Sequence, residues 1–262
     1  MTATIDREIE LDLVELDLLA VHAGVRPPFP LRVPSFGRLV REREALLNAA
    51  GQALAARDLA TEHGPTGLAA ELVTALREYR SAVDLVVIGR EAVVGVVAMV
   101  DRRGAIVCRQ SLGEEAVRVR RVAVSALTDE FAGLIPTTPP APTMPITLPP
   151  GAVGDTLRLL SNTADTPATR RCVRELVREC GGDGAVVDQL VELFPALHGR
   201  GQLGVVRRSG TVVSRPLEVS WLDSPHGRVR IDHDDNGWMS VNPLRHTELV
   251  RLVGEAATVA RG

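Results

Sequence analysis

Residues 82–110 read AVDLVVIGREAVVGVVAMVDRRGAIVCRQ. Valine recurs throughout and glycine punctuates the run. β-Branched side chains fit a pleated, half-buried surface, and Gly-containing breaks mark its turns. The stretch is therefore expected to form two or three antiparallel strands, with Asp101–Gly104 (DRRG) as a tight turn. A further strand is expected in AVRVRRVAV (116–124), its arginines alternating outward, and a short helix over Ser125–Ile135 closes this part.

Upstream the period is helical. DLVELDLLAVHAG (12–24) carries Leu13, Val14, Leu16, Leu18, Leu19 and Val21 and ends at Gly24. A second stripe runs through Leu39–Leu59, and Thr66 caps a third helix containing Leu68, Leu72, Leu76 and Tyr79. Between the first two helices lies PFPLRVP (28–34), where Phe29, Leu31 and Val33 alternate with Pro30 and Arg32. That is strand periodicity, and Pro30, which has no N–H to donate, assigns it to an edge.

Seven of the fifteen residues from Pro136 to Pro150 are proline, the composition of an extended crossover linker. Beyond it, Asp155 is expected to cap one helix, and Thr166-Pro167 to open another that Gly181 ends. Asp183 caps a third, with Val186, Val187, Leu190, Val191 and Phe194 on one face. Strands return in QLGVVRR, RPLEVSWLD, GRVRID and WMSV, and Asn242-Pro243 caps the closing helix. Each half thus runs helices, strand–turn–strand–strand, helix. This weak repeat predicts a single α/β domain of α+β type over 1–262, with quasi-two-fold halves 1–135 and 151–262 joined by the 136–150 crossover. The two similar halves are expected to share one sheet.

The formal net charge is −3, which gives no support to a nucleic-acid partner. All 30 basic residues are arginine. The absence of lysine excludes a Walker-type phosphate loop and Schiff-base or PLP chemistry, since each needs an amine. The three cysteines, Cys108, Cys172 and Cys180, suit a reducing compartment and match no zinc spacing. Cys172 and Cys180 on one helix would lie about 12 Å apart along its axis, too far for a disulfide. No apolar run approaches the roughly 20 residues of a membrane span, and MTATIDREIE lacks a signal-peptide core, so a cytoplasmic protein without membrane insertion is expected.

Candidate chemistry is sparse. DHDD (232–235) is the densest set of ligand-type residues, but it runs into a strong turn signal, and a solvated turn accounts for it. The six histidines scatter through expected caps and loops. CGGDG (180–184) has no strand before it, so it reads as a break between helices. VRVRR (117–121) could meet phosphate, yet an exposed strand face explains it equally. Trp221 and Trp238 are expected to pack on the sheet. No catalytic residue, metal ligand or cofactor is assigned. A binding protein is favoured, with a small-molecule sensor or an enzyme without a recognisable active site as the alternative.

Six segments in order resemble the EspG family. Leu11–Leu19 is similar to its LxxxELDxL helix start, Pro28–Pro34 to P-[FY]-P-L-x-V-P, Gly37–Arg43 to G-R-x-x-x-E-R, and Leu54–Leu59 to L-x-x-R-x-L. In the second half, Trp221, Asp223, Gly227 and Arg228 match W-x-D-x-x-x-G-R, and Trp238, Val241 and Pro243 match W-x-x-V-x-P. The resemblance implies a quasi-two-fold α/β fold, a central, mainly antiparallel sheet flanked by helical bundles, and a cytosolic chaperone of type VII (ESX) secretion. Such a protein binds the tip of a PE–PPE heterodimer, or of another helical substrate, masks its apolar motif, and directs the pair to the secretion machinery. It implies client contact through the loop between the second and third strands, here Gly89, Arg90, Glu91 and Ala92. It also implies contact through the helical bundle within Thr166–Leu197, with Arg174, Glu175 and Arg178 as rim residues. Weak self-association is a further expectation. The N-terminal signature itself is expected to be scaffold, not binding surface.

Overall fold

The computed structural model describes residues 8–101, 104–143, 145–150, 167–183, 197–210 and 212–262. Ten strands form one sheet. In chain order they are β1 (Ile9–Asp12), β4 (Ser81–Ile88), β5 (Val93–Asp101), β6 (Gly104–Ser111), β7 (Ala116–Val122), β8 (Ile146–Leu148), β9 (Gly199–Ser209), β10 (Val212–Ser224), β11 (Gly227–His233) and β12 (Met239–Pro243). Two short strands, β2 (Ala60–Thr61) and β3 (Gly64–Pro65), make a separate hairpin. The sheet order is β1-β7-β6-β5-β4-β9-β10-β11-β12-β8, and every neighbouring pair is antiparallel.

That order is symmetric about the β4–β9 pair. Each half contributes a four-strand meander, and each adds an outer edge strand (β1 or β8) that comes earlier in the chain than the helices of its half. At the centre, Leu85 faces Leu203 and Val83 faces Val205. The repeat read in the sequence is thus carried by the strand order of the sheet. The DRRG turn is framed as expected: Asp101 and Gly104 face each other, and the Gly104 N–H donates to Asp101 Oδ1 at 2.9 Å.

Six helices are described: α1 (Leu13–Ala23), α2 (Val40–Ala56), α3 (Gly67–Glu78), α4 (Leu127–Ala132), α5 (Pro167–Glu179) and α6 (His246–Arg261). Alternation along the strands splits the apolar residues into two layers. Val83, Leu85, Val96, Ala98, Leu203, Val205, Val219 and Trp221 point to one face and pack under α4 and α6. On the other face, Val97, Met99, Ile106, Cys108, Val117 and Val119 pack under α1 and α3, with Leu54 of α2 behind them. On that same face of the second half, Val229, Met239 and Val241 join Ile146 and Leu148 beneath Val173 and Val177 of α5. Each fully buried leucine or valine contributes about 1.5–3 kcal/mol.

Three expectations are corrected. PFPLRVP is not a strand: Leu31 is buried and Phe29 is exposed, and the segment crosses the sheet face without joining a ladder. Its prolines have no N–H to offer a neighbour. The Pro-rich stretch is not only a linker, since its Ile146–Leu148 pairs with β12 as an edge strand. The closing helix begins at His246, with Arg245 at its N-cap, because Asn242 and Pro243 still belong to β12. The strand β1 was not anticipated. The helices expected after Asp155 and Asp183 lie outside the described residues.

Candidate functional site

The N-terminal signature residues fold into local fixtures. Asp12 and Glu15 form a reciprocal capping box on α1, with N···O distances of 2.9 and 2.7 Å. Glu15 is buried and takes Arg57 at 2.5 Å. Asp17 receives Arg43 at two points, 2.8 and 3.1 Å, and Arg43 also donates to the Phe36 carbonyl at 2.8 Å. Gly37 sits at φ +80°, and a Cβ there would lie 2.6 Å from Arg43 Cα, so only glycine fits. Glu42 accepts from the Arg38 N–H at 2.9 Å, which supports the start of α2. The acids and the basic Arg43 and Arg57 of this signature thus hold the connector and the first two helices together.

The second-half motif is a fixture of another kind. Arg228 is fully buried and meets Asp223 at 2.6 and 2.9 Å. Its guanidinium also donates to the Pro136 carbonyl at 2.9 Å and lies 5.6 Å from the Trp221 ring centre. Its backbone brackets the crossover, donating to Pro139 O at 2.7 Å and accepting from Ala141 N at 3.0 Å. A Cβ on Gly227 would lie 2.6 Å from Pro140, so the motif's glycine lets the crossover approach.

Between the two covered stretches of the second sheet face runs a groove of about 360 Å³. Its floor is Val86, Ile88, Val93 and Gly95 of β4 and β5, continuing through Gln202, Ser220 and Leu222 to Ile231 and His233. Its wall is the connector: Phe29, Pro30 and Arg32. Pro30 rests on Gly95, where a Cβ would be 3.0 Å from its Cγ. The buried Gln110 clamps Arg32, accepting from its N–H at 2.7 Å and donating to its carbonyl at 3.0 Å. The signature segment is therefore scaffold that also forms the wall of this groove.

Next to the groove lies a polar strip. Arg215, at a bulge in β10, reaches across Gly204 to Asp84 at 3.1 Å and holds Glu218 at 2.9 Å. A Cβ on Gly204 would collide with Arg215 at 2.1 Å. Burial pushes the Asp84 carboxyl up, and Arg215 opposes this. Asp84 Oδ2 makes no hydrogen bond.

Of the expected client-contact residues, the Gly89–Ala92 turn borders this groove, while those of α5 sit over the neighbouring stretch of the same sheet face and do not line it. Gly89–Ala92 forms a short turn with all four residues exposed, closed by a 2.8 Å bond from Gly89 N–H to the Ala92 carbonyl. The turn follows Ile88 and precedes Val93, both groove residues. On α5, Glu175 and Arg178 are exposed and Arg174 is half-buried, while Val173 and Val177 pack toward the sheet. That cluster includes Leu222 and Ile231 at its margin, which are also groove residues. Phe29, Arg32, Arg200 and Leu112 were not anticipated. Gly95 and Gly201 within strands were the available signal, because strand glycines mark close approach of other groups.

The remaining candidates resolve into structure. Asp234 Oδ1 accepts from the Asn236 and Trp238 N–H groups at 2.9 and 2.8 Å, so DHDD runs into a capped turn. Among the described residues, no group of three His, Cys, Asp or Glu is placed to hold a metal. The β7 arginines face carboxylates: Arg118 meets Glu10, Arg120 meets Glu130, and Arg121 meets Glu71. No helix of the described residues is long and apolar enough to cross a membrane.

Among the described residues, the sheet carries paired charges and an open trough with apolar residues in its floor. The chain matches the EspG family over residues 12–255 and belongs to that family, which is one of chaperones and not of enzymes. No curated protein matches. Among solved structures it is similar to the Mycobacterium tuberculosis type VII secretion system chaperone EspG5 in complex with the PE25-PPE41 dimer, at 10% identity and a TM-score of 0.66, covering 97% of this chain and 96% of that one.

Proposed function

We propose that this chain is a cytosolic chaperone of type VII secretion that seats the tip of a PE–PPE-like helical pair in the groove. It masks the tip's apolar surface and holds the pair soluble for the membrane machinery. The observation that carries this is the groove's position, with its apolar floor between the Gly89–Ala92 turn and the strands beneath α5. An apolar centre with a polar rim is the anatomy of a protein interface. Arg90 and Glu91 would supply one rim, and Arg174, Glu175 and Arg178 the other. Membership of the EspG family and the likeness to EspG5 support the same reading.

The test is co-expression with the helical secretion pair encoded nearest to this chain, followed by size-exclusion chromatography. A soluble complex of one chaperone and one pair is expected. Ile88→Asp, which puts a charge in the floor, should abolish it. A pair that stays soluble alone and never co-elutes would refute the reading.

A further inference from the structure

The residues lining the groove include two full positive charges, Arg32 and Arg200, and no aspartate or glutamate. Neither guanidinium forms an ion pair or side-chain hydrogen bond among the described residues. Elsewhere on the sheet, Arg120, Arg121, Arg215 and Arg230 each face a carboxylate. Carboxylates beside the groove floor are already engaged: Arg215 holds both Asp84 and Glu218, and Arg230 holds Asp232 at 2.7 Å, while Glu91 stands exposed on the turn at its rim.

Resting on the groove as the client site, we propose that the client's tip is both apolar and acidic, and that Arg32 and Arg200 receive its carboxylate. Both arginines are held ready. Gln110 fixes the Arg32 backbone at two points. Arg200 lies in β9, in register between Ile88 of β4 and Leu222 of β10. A carboxylate entering with an apolar segment loses water, and so do the arginines. A charge-assisted, two-point contact then compensates both and strengthens as the surroundings dry. An apolar tip without an acid would leave two arginines desolvated and unpaired, which disfavours it.

The inference can be tested without knowing the client, using two dyes of the same shape. 1-Anilinonaphthalene-8-sulfonate is an apolar anion, and N-phenyl-1-naphthylamine is its uncharged counterpart. The wild-type protein should bind the anion saturably at one site, and Ile88→Asp should weaken both dyes. In the double variant Arg32→Gln/Arg200→Gln, affinity for the anion should fall about tenfold or more while the neutral dye changes less than about twofold. Both side chains are exposed, so the thermal midpoint should not move. Failure of the wild type to bind the anion, or equal anion binding by wild type and double variant, overturns the proposal. If the dyes behave as expected but the co-expressed pair does not bind the wild type, the chaperone reading fails and the groove's preference stands. If the pair binds wild type and double variant equally well, the acidic tip is refuted and the chaperone reading survives.

Discussion

Arg228 and Asp223 form a two-point ion pair inside the protein, Nε to Oδ1 at 2.6 Å and Nη2 to Oδ2 at 2.9 Å, with Arg228 wholly removed from solvent. The same arginine carries the Pro136 carbonyl and brackets the crossover with its own backbone. One buried cation therefore ties the β10–β11 hairpin to the segment that joins the halves.

Asp223→Ala should be among the costliest substitutions in the chain. It leaves a buried guanidinium without its anion, a loss of about 3–5 kcal/mol. Arg230→Ala removes a partly exposed pair with Asp232 and should cost under about 1 kcal/mol. Urea unfolding of both variants checks the contrast. Equal losses would mean that the buried pair has no special weight.

Gly201→Ala should disturb Trp221. The added Cβ would lie 2.0 Å from Trp221 Cζ2, in a ring that is 1% exposed. Strand and ring must shift, at a cost of about 1–3 kcal/mol. A changed tryptophan emission together with a lower urea midpoint is the expected outcome.

Asp84 gives a pH dependence whose sign follows from burial. Its carboxyl is raised above 3.8, so the folded protein binds that proton more tightly than the unfolded chain. Its contribution is therefore fully present below the unfolded value and is lost as pH rises through the raised one. Asp84→Asn cannot ionise. Relative to wild type it should gain stability at about pH 7 compared with about pH 4, read from urea midpoints. The reverse ordering would mean that the Arg215 pair outweighs desolvation.

The cysteines should separate cleanly in a thiol titration. Cys172 is exposed on α5, and Cys108 is fully buried with its thiol pushed up to about 12 by burial. Since the thiolate is the reactive form, Cys172 should label at once and Cys108 only after unfolding. Cys172 shares the outer side of α5 with Glu175. A client that covers this helix should protect Cys172, and unchanged labelling in the complex would remove α5 from the interface.

Much of the fold was legible locally. The α1 helix ends where Gly24 takes φ +68°, and the Val-rich run forms β4, β5 and β6 in register. These features depend on neighbours in sequence, so periodicity and turn chemistry expose them. The strand β1 escaped because four residues are too few to show a period, and β8 because proline dominates its surroundings. The alternation in Phe29–Val33 misled for a related reason. Side-chain pattern predicts a strand, but a ladder needs N–H donors that prolines lack.

The sequence by itself determined the antiparallel sheet, its repeat and the family, because strand period, turns and motif order are local properties of the chain. Only the tertiary structure decided where the open groove forms and which side chains line it. The groove is assembled from the connector, β4, β5, β9, β10 and β11, and no local pattern reports that Arg32 and Arg200 line the same trough. The acids that identify the family turned out to be fasteners, since Glu15, Asp17 and Glu42 of the N-terminal signature are each engaged by an arginine or a backbone donor. What remains free to meet a partner is what folding left unpaired.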